Sequence, residues 1–196
     1  MVNKFVFNRK KKNTIVLIHG LYTTSGFWLS YLKLFKNYRI IVFDINYDKL
    51  LRNDYSINIL KDTFNVDGHI VGVISHSFGT VISDLVFDQN YEIIYKICPV
   101  AFSKKLESSN FVLDIVNKTI LSVDSINNNI KLVRTYLLKV KNSLNYCGQL
   151  YIPNMDCYFF YEIPQKMKIQ FTGDHFNISL GLENIIDKLS NFNQLD

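Results

Sequence analysis

The stretch VGVISHSFGTVISDLVF, Val71–Phe87, decides the fold. Its apolar, β-branched run stops at Ser75-His76-Ser77-Phe78-Gly79, and apolar residues then resume at helical spacing. That is the pattern of a strand turning directly into a helix. A serine hydroxyl held up for nucleophilic attack must project clear of the sheet, which forces its backbone into a sparsely populated conformation. The residues two before and two after Ser77 then crowd each other and must be small, as Ser75 and Gly79 are. A helix starting immediately behind the turn aims its first amides at the space above Ser77, where negative charge on a reacting oxygen would sit.

Outward from this turn, apolar β-branched runs recur at Phe5–Phe7, Thr14–Ile18, Arg39–Phe43, Ile70–Ile74, Ile93–Ile97, Cys157–Ile163 and Lys168–Phe171. Most are near-continuous, as strands buried on both faces require. Helical patterns lie between them at Ser25–Phe35, Thr80–Phe87 and Leu180–Phe192. The alternation predicts an α/β fold, a mostly parallel sheet flanked by helices. One segment breaks it. From Ser103 to Tyr146 there is no clear strand signal, but Phe111, Ile115, Val116 and Ile120 form one helical stripe. Ile126, Ile130, Val133, Leu137, Val140 and Leu144 form another. The expectation is a single domain over residues 1–196 with Ser103–Tyr146 as a helical lid above the strand carboxyl ends. An enlarged crossover connection is the plainer alternative.

The chain's 196 residues suit one domain with a sizeable core, and 48% hydrophobic with 20% charged residues describe a globular protein. Cys98, Cys147 and Cys157 are odd in number and lack metal-ligand spacing, which favours a reducing compartment over a disulfide framework. The opening MVNKFVFNRKKKN places its charges after its apolar residues, the reverse of a secretion signal. No apolar run approaches the roughly 20 residues needed to span a bilayer. A soluble, cytoplasmic protein is expected. Net charge is +5, with one dense cluster at Arg9-Lys10-Lys11-Lys12. Scattered surface charge accounts for most of this, and an acidic partner such as a carrier protein or a phosphate-bearing substrate fits the remainder. Nucleic acid is disfavoured, because no recognised binding motif accompanies the charge.

SHSFG resembles the nucleophile elbow of the α/β-hydrolase fold, G-x-S-x-G, with Ser75 in place of the first Gly. TIVLIHGLYTTSGFW resembles the strand and His-Gly turn that precede the first helix in many members. The resemblance implies Leu21 and Phe78 as the two amide donors of an oxyanion hole. IQFTGDHFNIS resembles the Gly-x-His-Phe segment that carries the general base. The most specific likeness is to thioesterases of peptide and polyketide synthesis.

A serine nucleophile needs a base, and an imidazole with pKa near about 6.5 suits that task at neutral pH. Of the four histidines, His175 lies at a strand's carboxyl end in a tight turn. His19 precedes the oxyanion turn and reads as a structural hydrogen-bonder. His76, beside the nucleophile, should point away from the reacting group, and His69 starts a strand. A carboxylate should orient His175. The resembled fold supplies it after the strand following the lid, read here as CYFFYEI, which makes Glu162 the expected acid. Asp156 falls before that strand, and Asp174 adjoins His175, where neighbouring side chains diverge. Many thioesterases instead carry the acid after the strand before the lid, a place that in YKICPVAF holds Cys98. With only Pro164-Gln165-Lys166-Met167 between the last two strands, a parallel crossover of about a dozen residues does not fit.

These features predict a serine hydrolase acting on an ester or thioester through an acyl-serine, with no metal or organic cofactor and possible engagement of an acidic acyl carrier protein. An acyltransferase or cyclase using the same intermediate, or a non-catalytic binding protein on the same fold, are the alternatives.

Overall fold

The computed structural model describes residues 1–53, 55–87, 93–107, 109–144 and 148–192. Tyr146, the end of the expected insertion, and Cys147 lie outside the described residues. The main sheet is built from β1 (Val2–Phe7), β2 (Asn13–Ile18), β3 (Arg39–Ile45), β4 (His69–His76), β5 (Ile94–Ile97), β7 (Gln149–Pro153) and β9 (Lys168–Phe171). Its seven strands run in the order β1-β3-β2-β4-β5-β7-β9. Only β1 is antiparallel to its neighbour; the other pairs are parallel.

The near-continuous apolar runs follow from burial on both faces. On β2, Ile15 and Leu17 join one core while Val16 and Ile18 join the other. On β3, Ile40 and Val42 oppose Ile41, Phe43 and Ile45 in the same way. The first face is covered by the helical segment Ser25–Phe35 and by α6 (Ser179–Phe192). α1 (Tyr47–Arg52), α2 (Ile57–Thr63) and α3 (Gly79–Val86) cover the second. Full burial of each such aliphatic side chain contributes about 1.5–3 kcal/mol. Ser25–Phe35 is wound as a 3-10 helix. Trp28, Tyr31 and Leu34, at steps of three, all pack on the core, a spacing that tighter winding satisfies.

Two sequence expectations need correction. The run Cys157–Ile163 is not a strand of the main sheet. Its middle, β8 (Phe159–Tyr161), pairs antiparallel with β6 (Ser103–Lys105) in a separate two-stranded sheet. Ser103–Lys105 therefore begins the insertion as a strand. The strand that follows the insertion is β7, whose five residues are too short for their apolar pattern to stand out. The crossover from β7 to β9 then spans residues 154–167, and the apparent four-residue connection disappears.

Within the insertion lie α4 (Phe111–Lys118) and α5 (Val123–Val140). Ser122 caps α5 by accepting from the Ser125 amide. Ile126 and Val140 are buried, and Val133, Tyr136 and Leu137 rest on the core, where α5 packs beside α1. The Tyr22 hydroxyl donates to the Ile126 carbonyl at 3.1 Å, tying α5 to the loop after β2. Among the described residues, no helix is long and apolar enough to cross a membrane.

Candidate active site

Ser77 sits between β4 and α3 with φ of 52°, a left-handed conformation that costs a non-glycine residue about 1–2 kcal/mol. Its amide donates to the Ile97 carbonyl at 2.9 Å, which fixes the turn to β5. Gly79 has no alternative, since a Cβ there would lie 2.5 Å from the His19 carbonyl oxygen and 2.8 Å from that of Ile18. Ser75 is accommodated because its buried hydroxyl has partners, Ser83 Oγ at 3.0 Å and the Tyr95 carbonyl at 3.4 Å.

His175 Nε2 lies 3.1 Å from Ser77 Oγ, and its Nδ1 lies 3.0 Å from Asp156 Oδ2. Asp156 follows β7, so it stands at the carboxyl edge of the sheet. Its Oδ1 accepts from the amides of Tyr158 at 2.9 Å and Phe159 at 3.1 Å. Oδ2 also accepts from the Tyr161 hydroxyl at 2.5 Å. Burial pushes the Asp156 carboxyl up. The His175 hydrogen bond and charge, the Tyr161 hydroxyl and the Tyr158 amide outweigh it and leave the pKa lowered. A charged Asp156 accepts only, so Nδ1 carries the proton and Nε2 offers its lone pair to the Ser77 hydroxyl.

The carboxylate against His175 is therefore that of Asp156, not Glu162. Glu162 is half-exposed and pairs with Lys104 at 2.6 Å. Its amide donates to the Phe102 carbonyl, as part of the small sheet that draws this segment away from the main one. Asp174 accepts from the amides of Phe176 and Asn177, closing the turn after His175.

Two further groups surround the Asp156 carboxylate: Tyr161, which the sequence did not single out, and Cys98, which it placed after the strand before the insertion. The Tyr161 phenol is buried; desolvation, with the charge of the Asp156 carboxylate behind it, drives its pKa well above the ordinary value, so it stays a donor. It also lies 3.4 Å from His175 Nδ1. Ligand atoms of Cys98, Asp156 and His175 all fall within 4.8 Å of one another, a donor set of the kind that binds cations. The Tyr161 hydroxyl hydrogen-bonds within that group, and burial pushes the Cys98 thiol up, away from the thiolate a metal needs. Cys98 itself has φ of 53° at the end of β5.

His19 and His76 hold backbone in place. His19 Nδ1–H donates to the Gly20 carbonyl at 2.8 Å, and its Nε2 accepts from the Ile45 amide at 2.9 Å. Burial lowers its pKa, keeping it neutral. Thr23 Oγ1 donates to the same Gly20 carbonyl at 2.8 Å. In a planar trans peptide the N–H points opposite the C=O, so the Leu21 amide is turned away from His19 and Thr23. Leu21 and Phe78 line one cavity with Ser77 and His175. Among the described residues, neither amide donates to a carbonyl in these turns. A Cβ on Gly20 would lie 2.8 Å from Ser77 Cβ, so the two turns are pressed together. His76 points away from Ser77 and donates from Nε2 to the His175 carbonyl at 2.7 Å, with its ring stacked on Phe27. Burial, then the nearby His175, pulls its pKa down to about 3. His69 is an exposed residue at the start of β4.

The cavity above Ser77 measures about 400 Å³ and is lined mainly by apolar side chains of α5 and the strand ends. It can seat a carbonyl compound at Ser77 with an apolar group beside it.

No family model and no curated protein sequence matches the chain. Solved structures do. An α/β-hydrolase fold protein from Burkholderia ambifaria superposes with a TM-score of 0.56 at 12% identity, over 94% of this chain and 92% of that one. The chain has the α/β-hydrolase fold. The NocB thioesterase domain from the nocardicin cluster gives a TM-score of 0.54 at 11% identity, covering 97% of both chains. A structure from a study of carboxylesterases of the thaumarchaeon Nitrososphaera gargenis gives 0.52 at 13%, over 99% of this chain and 94% of that one. Similarity at this level carries the fold and not the substrate.

Proposed function

We propose that the protein is a serine hydrolase that cleaves an ester or thioester through an acyl-serine intermediate. The observation that carries this is the line Ser77 Oγ, His175 Nε2, His175 Nδ1, Asp156 Oδ2, with spacings of 3.1 and 3.0 Å at its two hydrogen bonds. The chain order, Ser then Asp then His, is the order of the fold's triads.

Ser77 Oγ attacks the substrate carbonyl as its proton passes to His175 Nε2. Asp156 stabilises the imidazolium, and the amides of Leu21 and Phe78 hold the oxyanion. Collapse breaks the bond to the leaving oxygen or sulfur, which takes the proton from Nε2. Water then attacks the acyl-serine by the same route, regenerating the Ser77 hydroxyl and releasing the acid. No step calls for a metal or an organic cofactor. The Gly-Asp-His-Phe likeness and the basic surface favour a thioester, and α4 and α5 serve as the lid of a single domain.

A fluorophosphonate probe tests this, because it labels an activated serine whatever the substrate. Labelling and turnover of a short acyl thioester should both be present in the wild type and absent in Ser77→Ala. Labelling that persists in that variant would place the nucleophile elsewhere.

A further inference from the structure

The cavity over Ser77 is lined by three cations, Lys104 and Lys105 of β6 and Arg134 of α5. Among the described residues no carboxylate lines it. The chain as a whole carries 22 Lys and Arg against 17 Asp and Glu, so an all-cationic lining is a local feature and not the average. Arg134 stands beside Ile130, Val133 and Leu137 on the face of α5 that borders the cavity. Lys104 is already engaged by Glu162. Lys105 and Arg134 are exposed at one end while bordering apolar walls at the other, an arrangement that concentrates positive potential at the opening. A guanidinium fork and an ammonium bordering one cavity each favour phosphate or carboxylate oxygens.

Resting on the hydrolase reading above, we propose that the substrate carries a fixed negative charge, phosphate or carboxylate, held by Lys105 and Arg134. Its apolar acyl portion lies against Val133, Leu137 and Phe159, and its carbonyl lies at Ser77. A neutral ester of the same length fills the apolar space but leaves both cations without a counter-charge.

The test compares three substrates: hexanoyl p-nitrophenyl ester, neutral; hexanoyl-coenzyme A, with phosphates on the leaving group; and the p-nitrophenyl monoester of glutaric acid, with a carboxylate on the acyl side. Removing two charge-assisted contacts should raise KM for the preferred anionic substrate about tenfold or more in Lys105→Gln/Arg134→Gln. Its kcat should stay within about twofold, and kcat/KM for the neutral ester should be nearly unchanged. Whichever anionic substrate responds reveals the side on which the charge sits. Equal KM values for all three in the wild type, or equal losses for all three in the double variant, would overturn the proposal. Binding of hexanoyl-coenzyme A and of glutarate monohexyl ester to Ser77→Ala, measured by calorimetry with and without the Lys105 and Arg134 changes, reads the same preference without turnover. Anion recognition can thus fail while Ser77 still takes the fluorophosphonate label, and the reverse.

Discussion

Among the described residues, two acid–base pairs are buried to almost the same depth. Asp84 of α3 pairs with Lys96 of β5 at 1% and 0% side-chain exposure, and Asp156 pairs with His175 at 2% and 2%. The first lies between a helix and the middle of the sheet, with the Phe102 ring 6.0 Å from the ammonium. The second lies at the carboxyl edge, where the far nitrogen of the base meets Ser77 Oγ and the cavity. Burial of charge is costly in both places and therefore does not mark a reactive site. The neighbour of the base does. Lys96 lies beside the Phe102 ring, whereas His175 meets a hydroxyl next to an open cavity.

The largest effect expected from breaking that comparison is catalytic. Under the proposed mechanism, Asp156→Asn should lower kcat by about 10³–10⁴, because the imidazolium loses its counter-charge and Nδ1 loses its fixed tautomer. KM should change little, since the interaction strengthens only as charge develops. Asp84→Asn should leave kcat per folded molecule unchanged. Steady-state kinetics with active-site titration separates the two, and near-normal turnover by Asp156→Asn would remove Asp156 from the mechanism.

Stability should respond in the other order. Asp84→Leu removes the buried carboxylate beside the Lys96 ammonium, at a cost of about 3–5 kcal/mol in urea denaturation. The double variant Asp84→Leu/Lys96→Met should recover most of that, because apolar side chains of similar volume avoid the desolvation of both charges. A small loss in the single variant would mean that water or other protein groups compensate the Lys96 charge.

The difference between the two pairs also explains what the sequence could reveal. The placement of Ser77, Gly79 and His175 was legible because each leaves a fixed local pattern: a strained serine between small neighbours, and a histidine in a tight turn. The sheet was legible because strands buried on both faces leave continuous apolar runs, as in β2 and β3. The acid was not, because its place depends on which strand precedes it. QLYIP is short, while CYFFYEI is richer in aromatic residues but pairs with Ser103–Lys105 through contacts distant in sequence. Read as the strand after the insertion, CYFFYEI puts the expected carboxylate at Glu162, whereas Asp156 is the one that meets His175. The impossible four-residue crossover was the one signal that could have exposed the error. Tyr161 and the carbonyl contact of His76 leave no local pattern at all.

His76 sharpens the comparison through pH. Its folded pKa of about 3 lies below the value of about 6.5 for a free imidazole, so between those limits the unfolded chain binds a proton that the folded one does not. Its contribution to stability is fully present above about pH 6.5 and is lost as pH falls, at up to about 1.4 kcal/mol per pH unit. Asp156, with its pKa lowered, contributes stability present above about pH 4 and lost only on further acidification. Stability measured from pH 7 to 5 should therefore fall in the wild type and fall less steeply in His76→Gln. Equal slopes would show that His76 is protonated in the folded protein.

The smallest expected effect belongs to the carboxylate that resembles an acid in sequence but lies elsewhere in space. Glu162 and Lys104 form a pair with side chains 50% and 71% exposed, so water screens their attraction and the two flexible side chains lose entropy in holding it. Glu162→Gln keeps the side chain's size and its ability to accept from the Lys104 ammonium. Stability should shift by less than about 1 kcal/mol, the range for exposed pairs. Turnover of a neutral ester should stay within about twofold, because no charge develops near this side chain when His175 is protonated. Lys104 borders the cavity, however, and freeing its full charge adds to the field of Lys105 and Arg134. Affinity for an anionic substrate should thus rise modestly, an effect that disappears at high salt because exposed charges are screened. A loss of turnover by orders of magnitude in Glu162→Gln, with Asp156→Asn unaffected, would reverse the assignment of the acid and the contrast between the two carboxylates with it.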